Sequence, residues 1–298
     1  MSKPTTFITL GTAGGPVPKK DRASPAHAIF HEGRPILVDC GEGAMRQLMR
    51  VGVDFRQLHE IILTHHHFDH IGSLFNCIGI NMMLQRQQPL NIYGPKGTRQ
   101  IVESLAAACD VSWEIGFGIA EQKLPHPRDF IQVREIEPGD VIEIDEIKVT
   151  CCENTHYRSE DKFGQDGSIS LSLRFDAPDR SIVFTGDTGP CRNLEEFGKG
   201  AQLLVGEVVD VERTVEKIRQ NSPYMSDERV QMMTQHMAEH HLQPEQLGEL
   251  ASQIGAEHVV AVHITLDSIT DEMKADYAAK IASTFSGKVT ISEDLDCF

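Results

Sequence analysis

Residues 64–70 read Thr-His-His-His-Phe-Asp-His, and four of the chain's 14 histidines fall within 65–70. Imidazole and carboxylate are the ligands that zinc and similar divalent ions prefer, so a strand ending in such a cluster is a metal-site candidate. The informative spacing is His65-x-His67-x-Asp69-His70. Residues at i and i+2 of a strand end point the same way, and a tight turn then carries the Asp-His pair to an adjacent position. One loop could therefore feed two metals. Three further segments supply the same residue types after apolar runs: Glu153-Asn154-Thr155-His156, Thr185-Gly186-Asp187-Thr188-Gly189, and Val259-Val260-Ala261-Val262-His263. Taken singly, His156 suits a loop, Asp187 a turn or helix cap, and His263 a core. Four strand ends all offering His or Asp argue for a shared metal site.

The elements that must position these residues alternate along the chain. Strands are expected at 6–10, 26–30, 35–39, 60–63 and 90–93 in the first half, and at 141–144, 147–153, 169–174, 181–185, 203–207 and 259–263 in the second. Helical periodicity is expected over 44–51, 71–87, 97–108, 227–238, 244–255 and 271–284. Pro244 falls in a first turn, where proline is tolerated. Asp145-Glu146 joins two strands as a hairpin, so the sheets cannot be purely parallel. This α/β pattern predicts two mixed β-sheets with helices outside them. No repeat or Gly/Ser linker divides the sequence, and a single domain over 1–298 is expected. Residues 210–240 differ from their surroundings, with Pro223-Tyr224-Met225 followed by Met232, Met233 and Met237. They read either as a surface helix packing its methionines on the core or as a lid whose methionines line a substrate pocket.

Composition bounds the function. The chain has 298 residues, with 28 Lys+Arg against 44 Asp+Glu, a net charge of −16. Backbone binding by nucleic-acid proteins rests on clustered cations, and no such cluster is visible, so nucleic acid is disfavoured and a small-molecule substrate is expected. A 40% hydrophobic content supports a buried core. No run approaches the roughly 18 apolar residues of a membrane span, and Met-Ser-Lys-Pro-Thr-Thr lacks a signal-peptide pattern. A cytoplasmic protein without a membrane segment is the expectation. The seven cysteines are odd in number and have no Cys-x-x-Cys spacing, which suits reduced thiols.

His65-x-His67-x-Asp69-His70 followed in order by His156, Asp187 and His263 resembles the ligand series of the metallo-β-lactamase fold, a four-layer αββα sandwich. Val38-Asp39-Cys40-Gly41-Glu42-Gly43 with Arg46-Gln47-Leu48, Leu10-Gly11-Thr12 and Tyr93-Gly94-Pro95 are similar to the ribonuclease Z and arylsulfatase-like branch. The resemblance spans nearly the whole chain. It implies that His65, His67 and His156 hold a first metal, that Asp69, His70 and His263 hold a second, and that Asp187 bridges them. Zinc is the default ion on ligand type, with Mn or Fe also accepted by such sites. The resemblance also makes Glu207, in Leu203-Leu204-Val205-Gly206-Glu207, the residue that orients a catalytic histidine. That histidine is His241 of His241-Leu242-Gln243-Pro244-Glu245, with the adjacent His240 as the alternative. Leu242-Gln243 stands where the branch carries small hydroxyl residues.

Two divalent ions about 3.5–4 Å apart can share a water and present hydroxide to an electrophile. Asp69 would ligate and orient that nucleophile, and His241 would protonate the leaving oxygen. Asp39 either bonds a ligand imidazole or caps the turn before Ala44. The expected activity is hydrolysis of a small ester, whether sulfate ester, phosphodiester, carboxylic ester or lactone. The alternative is a tRNA 3′-end endonuclease like ribonuclease Z, whose relatives grip tRNA with a Gly/Pro-rich basic arm; residues 97–140 hold no basic run. A non-catalytic metal-binding protein is the third reading. Ribonuclease Z relatives also imply a homodimer.

Overall fold

Short runs of Ile, Val and Leu suit strands that are covered on both faces. In the computed structural model, which describes residues 3–119 and 122–298, they build two mixed sheets. The chain divides into two compact units. One runs to Gly11, then over Ala23–Ile136 and Asp294–Phe298; the other comprises Thr12–Arg22 and Glu137–Glu293. Positions 120 and 121, inside the 97–140 stretch, lie outside the described residues.

The first unit holds β1 (Thr6–Gly11), β2 (Ala26–His31), β3 (Arg34–Val38), β4 (Glu60–Ile62), β5 (Leu90–Gly94) and β6 (Ile131–Glu135), side by side in that order. The first three strands pair antiparallel and the remaining pairings are parallel. Helices α1 (Ala44–Arg50), α2 (Phe68–Ile71), α3 (Leu74–Met83), α4 (Thr98–Ala108), α5 (Asp110–Ile115) and α6 (Pro127–Phe130) complete it. Leu37, Ile61, Leu63, Leu74 and Ile92 are fully buried in its core. Because β3 and β4 are parallel, the loops that leave Val38 and Ile62 emerge at one end of the sheet, the usual place for ligand sites in such sheets.

The second unit holds β7 (Val141–Ile144), β8 (Ile147–Glu153), β9 (Leu171–Asp176), β10 (Ser181–Phe184), β11 (Leu203–Glu207), β12 (His258–Val262) and β13 (Lys288–Ile291). They too lie in sequence order, antiparallel from β7 to β10 and parallel from β10 to β13. With β9 antiparallel to both neighbours, β8 points the same way as β10, β11 and β12. The segments after Glu153, Phe184, Glu207 and Val262 therefore leave one end of this sheet. Its helices are α7 (Arg192–Phe197), α8 (Val211–Asn221), α9 (Asp227–His240), α10 (Pro244–Ile254) and α11 (Asp271–Ala282).

The expected mixed sheets, the 141–153 hairpin and Pro244 at a helix start are all present. Two edge strands, β6 and β13, were not expected. The helix expected over 71–87 is interrupted: α2 ends at Ile71 and α3 starts at Leu74, because the Ser73 amide donates to the Cys40 carbonyl at 2.8 Å instead of continuing the helical ladder. Residues 210–240 form α8 and α9, joined by a turn on which Tyr224 is 99% exposed. No helix among the described residues is long and apolar enough to cross a membrane.

Helices α10 and α11 meet at Gly248, where a β-carbon would overlap the Ile281 carbonyl and the Thr284 hydroxyl. Gly248→Ala is therefore expected to force the two helices apart and cost about 1–3 kcal/mol. In urea unfolding the midpoint should fall at constant slope; an unchanged midpoint would show that the contact yields freely.

Candidate active site

In the first unit the ligand loop is built on a buried carboxylate. Asp39 follows β3 with a left-handed backbone (φ 57°) and is fully buried. One oxygen accepts from the Thr64 amide at 2.8 Å; the other accepts from the Thr64 hydroxyl at 2.9 Å and from His70 Nδ1 at 2.7 Å. Since the Thr64 hydroxyl donates to Asp39, it accepts from His65 Nδ1 at 3.0 Å. Both imidazoles thus have Nδ1 protonated and Nε2 left with its lone pair. That is how outer hydrogen bonds prepare histidines for a metal. Of the two roles open to Asp39, the bond to an imidazole is the one formed. His70 Nε2 lies 3.8 Å from Asp69, and the His65 ring stands 4.0 Å from that of His70 and 4.9 Å from that of His67. His66 is turned to another task, with its Nε2 2.8 Å from the Thr98 hydroxyl in the first turn of α4.

In the second unit the donors come from the matching ends of β8, β10, β11 and β12. His156 Nδ1 donates to the His240 carbonyl at 3.1 Å, and its Nε2 sits 3.8 Å from Asp187. His263, left-handed at φ 61°, places Nε2 3.1 Å from the same Asp187 oxygen. Non-glycine residues in that region carry local strain of about 1–3 kcal/mol, which a site accepts when position matters more. Asn154 staples the turns: its carbonyl accepts from the His156 amide at 3.2 Å, and its amide donates to the Thr185 carbonyl at 3.1 Å.

Glu207 ends β11 fully enclosed. It accepts from the Thr188 amide at 2.5 Å and from His241 Nδ1 at 2.7 Å. His240 instead donates its Nδ1–H to the Thr155 carbonyl at 2.7 Å, so the partner of Glu207 is His241. Burial works against the charged form of His241, but Glu207, through its charge and its hydrogen bond, and Asp187 beyond it outweigh that and hold the imidazole above the ordinary histidine range.

The donor chemistry suits divalent ions that accept nitrogen and oxygen. In the second unit alone, Asp187, Glu207, His241 and His263 each offer a ligand atom within 4.8 Å of the others. Both Glu207 oxygens are already taken by hydrogen bonds, which makes Asp187 and His263 the better ligands of the four and leaves Glu207 and His241 as a hydrogen-bonded carboxylate–imidazole pair. Of the site residues read from the sequence, His65, His67, His156, Asp187, Glu207 and His263 lie at or just beyond strand ends, Asp69 and His70 lie in α2, and His241 directly follows α9. Thr64, Asn154 and Thr188 were missed; each adjoins or closely precedes a named ligand, the one local signal that could have marked them.

A beta-lactamase superfamily domain matches residues 34–264. Ribonuclease Z of Mycobacterium avium is 28% identical over 97% of this chain and 96% of its own length, and that of Mycolicibacterium gilvum is 28% identical over 97% and 94%. Among solved structures, the metallo-beta-lactamase fold protein YhfI from Bacillus subtilis aligns with a TM-score of 0.72 at 17% identity, covering 99% of both chains. The short form of human tRNase Z gives 0.66 at 19%, covering 98% of both. These relatives overturn the expectation that nucleic acid is disfavoured, since end-to-end similarity runs to proteins named for ribonuclease activity. The error lay in treating net charge, a sum over the whole surface, as a property of one site. A domain match across 231 of 298 residues, joined to His and Asp donors at the strand ends, places the chain in the beta-lactamase superfamily as a metal-dependent hydrolase of the metallo-β-lactamase fold.

Proposed function

We propose that the chain is a dinuclear phosphodiesterase of the ribonuclease Z type, cutting tRNA precursors at their 3′ ends. The observation that carries this reading is similarity over 97% of the chain to relatives named ribonuclease Z. It favours the endonuclease over hydrolysis of a small sulfate or carboxylic ester. In this reading His65, His67 and His156 hold one ion, Asp69, His70 and His263 the other, and Asp187 joins them, with zinc the default on ligand type. The ions, when bound, supply an activated water and offset the charge that grows on the phosphate.

The chain's own residues do the rest. Asp69 orients the attacking water. As the water adds to phosphorus and the bond to the leaving oxygen breaks, that oxygen needs a proton. His241 keeps Nδ1–H on Glu207 and donates from Nε2, which requires the imidazolium; the adjacent carboxylate favours that form. A positioned acid of this kind contributes about 10²–10⁴ in rate.

Purified protein should release the 3′ trailer from a tRNA precursor, read on a gel. Turnover of sulfate or carboxylic esters with the precursor left intact would sink the reading. Asp187→Ala should lose bound metal, counted by elemental analysis, and lose more activity than Asp39→Asn, for which loss of an outer contact predicts roughly a 10–100-fold drop in metal affinity. His241→Ala should keep its metals and lose about 10²–10⁴ in rate on a ribonucleotide leaving group. The loss should be far smaller on a p-nitrophenyl leaving group, which needs no proton; equal losses on both would remove His241 from the acid role.

A further inference from the structure

We infer that Gly14 is a positioning residue for His263: a position without a side chain there lets the imidazole and its left-handed turn sit where Nε2 faces Asp187. The inference rests on the reading above in which His263 and Asp187 hold metal. A β-carbon on Gly14 would stand 2.5 Å from His263 Nδ1, 2.7 Å from Cε1 and 2.5 Å from the His263 carbonyl oxygen, far inside van der Waals contact. The backbone itself does not call for glycine at this position. Gly14 avoids the left-handed region that Gly15 adopts at φ 85°, so the requirement is one of space.

Neither side of the contact can retreat. The Gly14 amide donates to the Ile264 carbonyl at 2.8 Å, and the Ile264 amide donates to the Thr12 carbonyl at 2.7 Å, so the residue after His263 is paired on both sides of Ala13. Arg22 Nη1 holds the same segment through the Thr12 hydroxyl at 2.5 Å and the Ser292 carbonyl at 2.8 Å. The imidazole is enclosed elsewhere as well. Its Nε2 lies 3.1 Å from Asp187, its Nδ1 lies 3.5 Å from Glu207, and the ring stacks on that of His241 with centroids 5.7 Å apart and planes 19° from parallel. A methyl group at position 14 would press on the Nδ1–Cε1 edge and on the carbonyl together. The ring would swing from Asp187 or the left-handed turn would open. Metal ligands keep their distances to within about 0.2 Å, so either response weakens an ion held by His263.

The test compares wild type with Gly14→Ala and Gly15→Ala, titrating zinc against a chromophoric chelator. It repeats Gly14→Ala on His263→Gly, which removes the ring and relaxes the left-handed turn. Gly14→Ala should weaken one of two bound ions about 10–100-fold, as loss of an outer contact to a ligand does. In the metal-free protein it should shift the His263 ring signals in NMR, assigned by their loss in His263→Gly. Gly15→Ala strains the same loop, but its β-carbon meets nothing within 4 Å, so ions and ring signals should match wild type. On His263→Gly, the change at position 14 should alter zinc affinity by less than about twofold, because the two positions are coupled through the ring and its turn. Unshifted signals, unchanged zinc affinity or an equal loss on both backgrounds would overturn the assignment. Should Gly14→Ala alone not fold, the double variant should, and its failure would also overturn it. If His263→Gly binds zinc as wild type does, the ligand reading fails, while shifted ring signals in Gly14→Ala still support the seat.

Discussion

A hydrogen bond that fixes one nitrogen of a histidine sets the direction in which the other is presented, and that constraint orders the donor clusters of this molecule. In the first unit Asp39 does the fixing, directly for His70 and through the Thr64 hydroxyl for His65. In the second it is the His240 carbonyl for His156. A fully enclosed carboxylate such as Asp39 is costly unless donors surround it, and the Thr64 amide, the Thr64 hydroxyl and the His70 ring meet that need. The left-handed backbone at Asp39 and at His263 follows from the same demand: each leaves its strand at an angle set by the imidazole it aims or carries.

From this it follows that α9 is more than a cover for the second sheet. Its last residue supplies the carbonyl that fixes His156, and the next is the histidine bonded to Glu207. Two different tasks hang on where one helix end docks. Its seat is firm in the ways that count: a carbonyl against a glycine, one imidazole hydrogen bond and the Val209 amide returning to the Leu242 carbonyl at 2.8 Å. The far end of the hairpin, by contrast, presents Tyr224 wholly to solvent.

The parts legible in sequence are those written locally. Apolar runs marked the central strands, and ligands stood at their ends because parallel neighbours must present their loops on one side. The edge strands β6 and β13 escaped because an edge needs no continuous apolar run: β6 reads Ile-Gln-Val-Arg-Glu, and Lys288 opens β13 in solvent. The break before α3 could not be read because the hydrogen bond that makes it comes from Cys40, more than thirty residues earlier. The same holds for His156, whose outer partner is a backbone carbonyl 84 residues away, an interaction with no side-chain signature.

The net charge of −16 is the instructive failure. Charges farther apart than a Debye length, about 8 Å at physiological salt, are largely screened from one another. Carboxylates scattered over a surface of 13,888 Å² therefore say little about the potential at a buried group of histidines and aspartates whose donors suit divalent ions. What an acidic surface withholds is diffuse affinity along a phosphate backbone, the part of nucleic-acid binding that comes from counterion release. Recognition is then left to contacts within a few ångströms of the bond being cut.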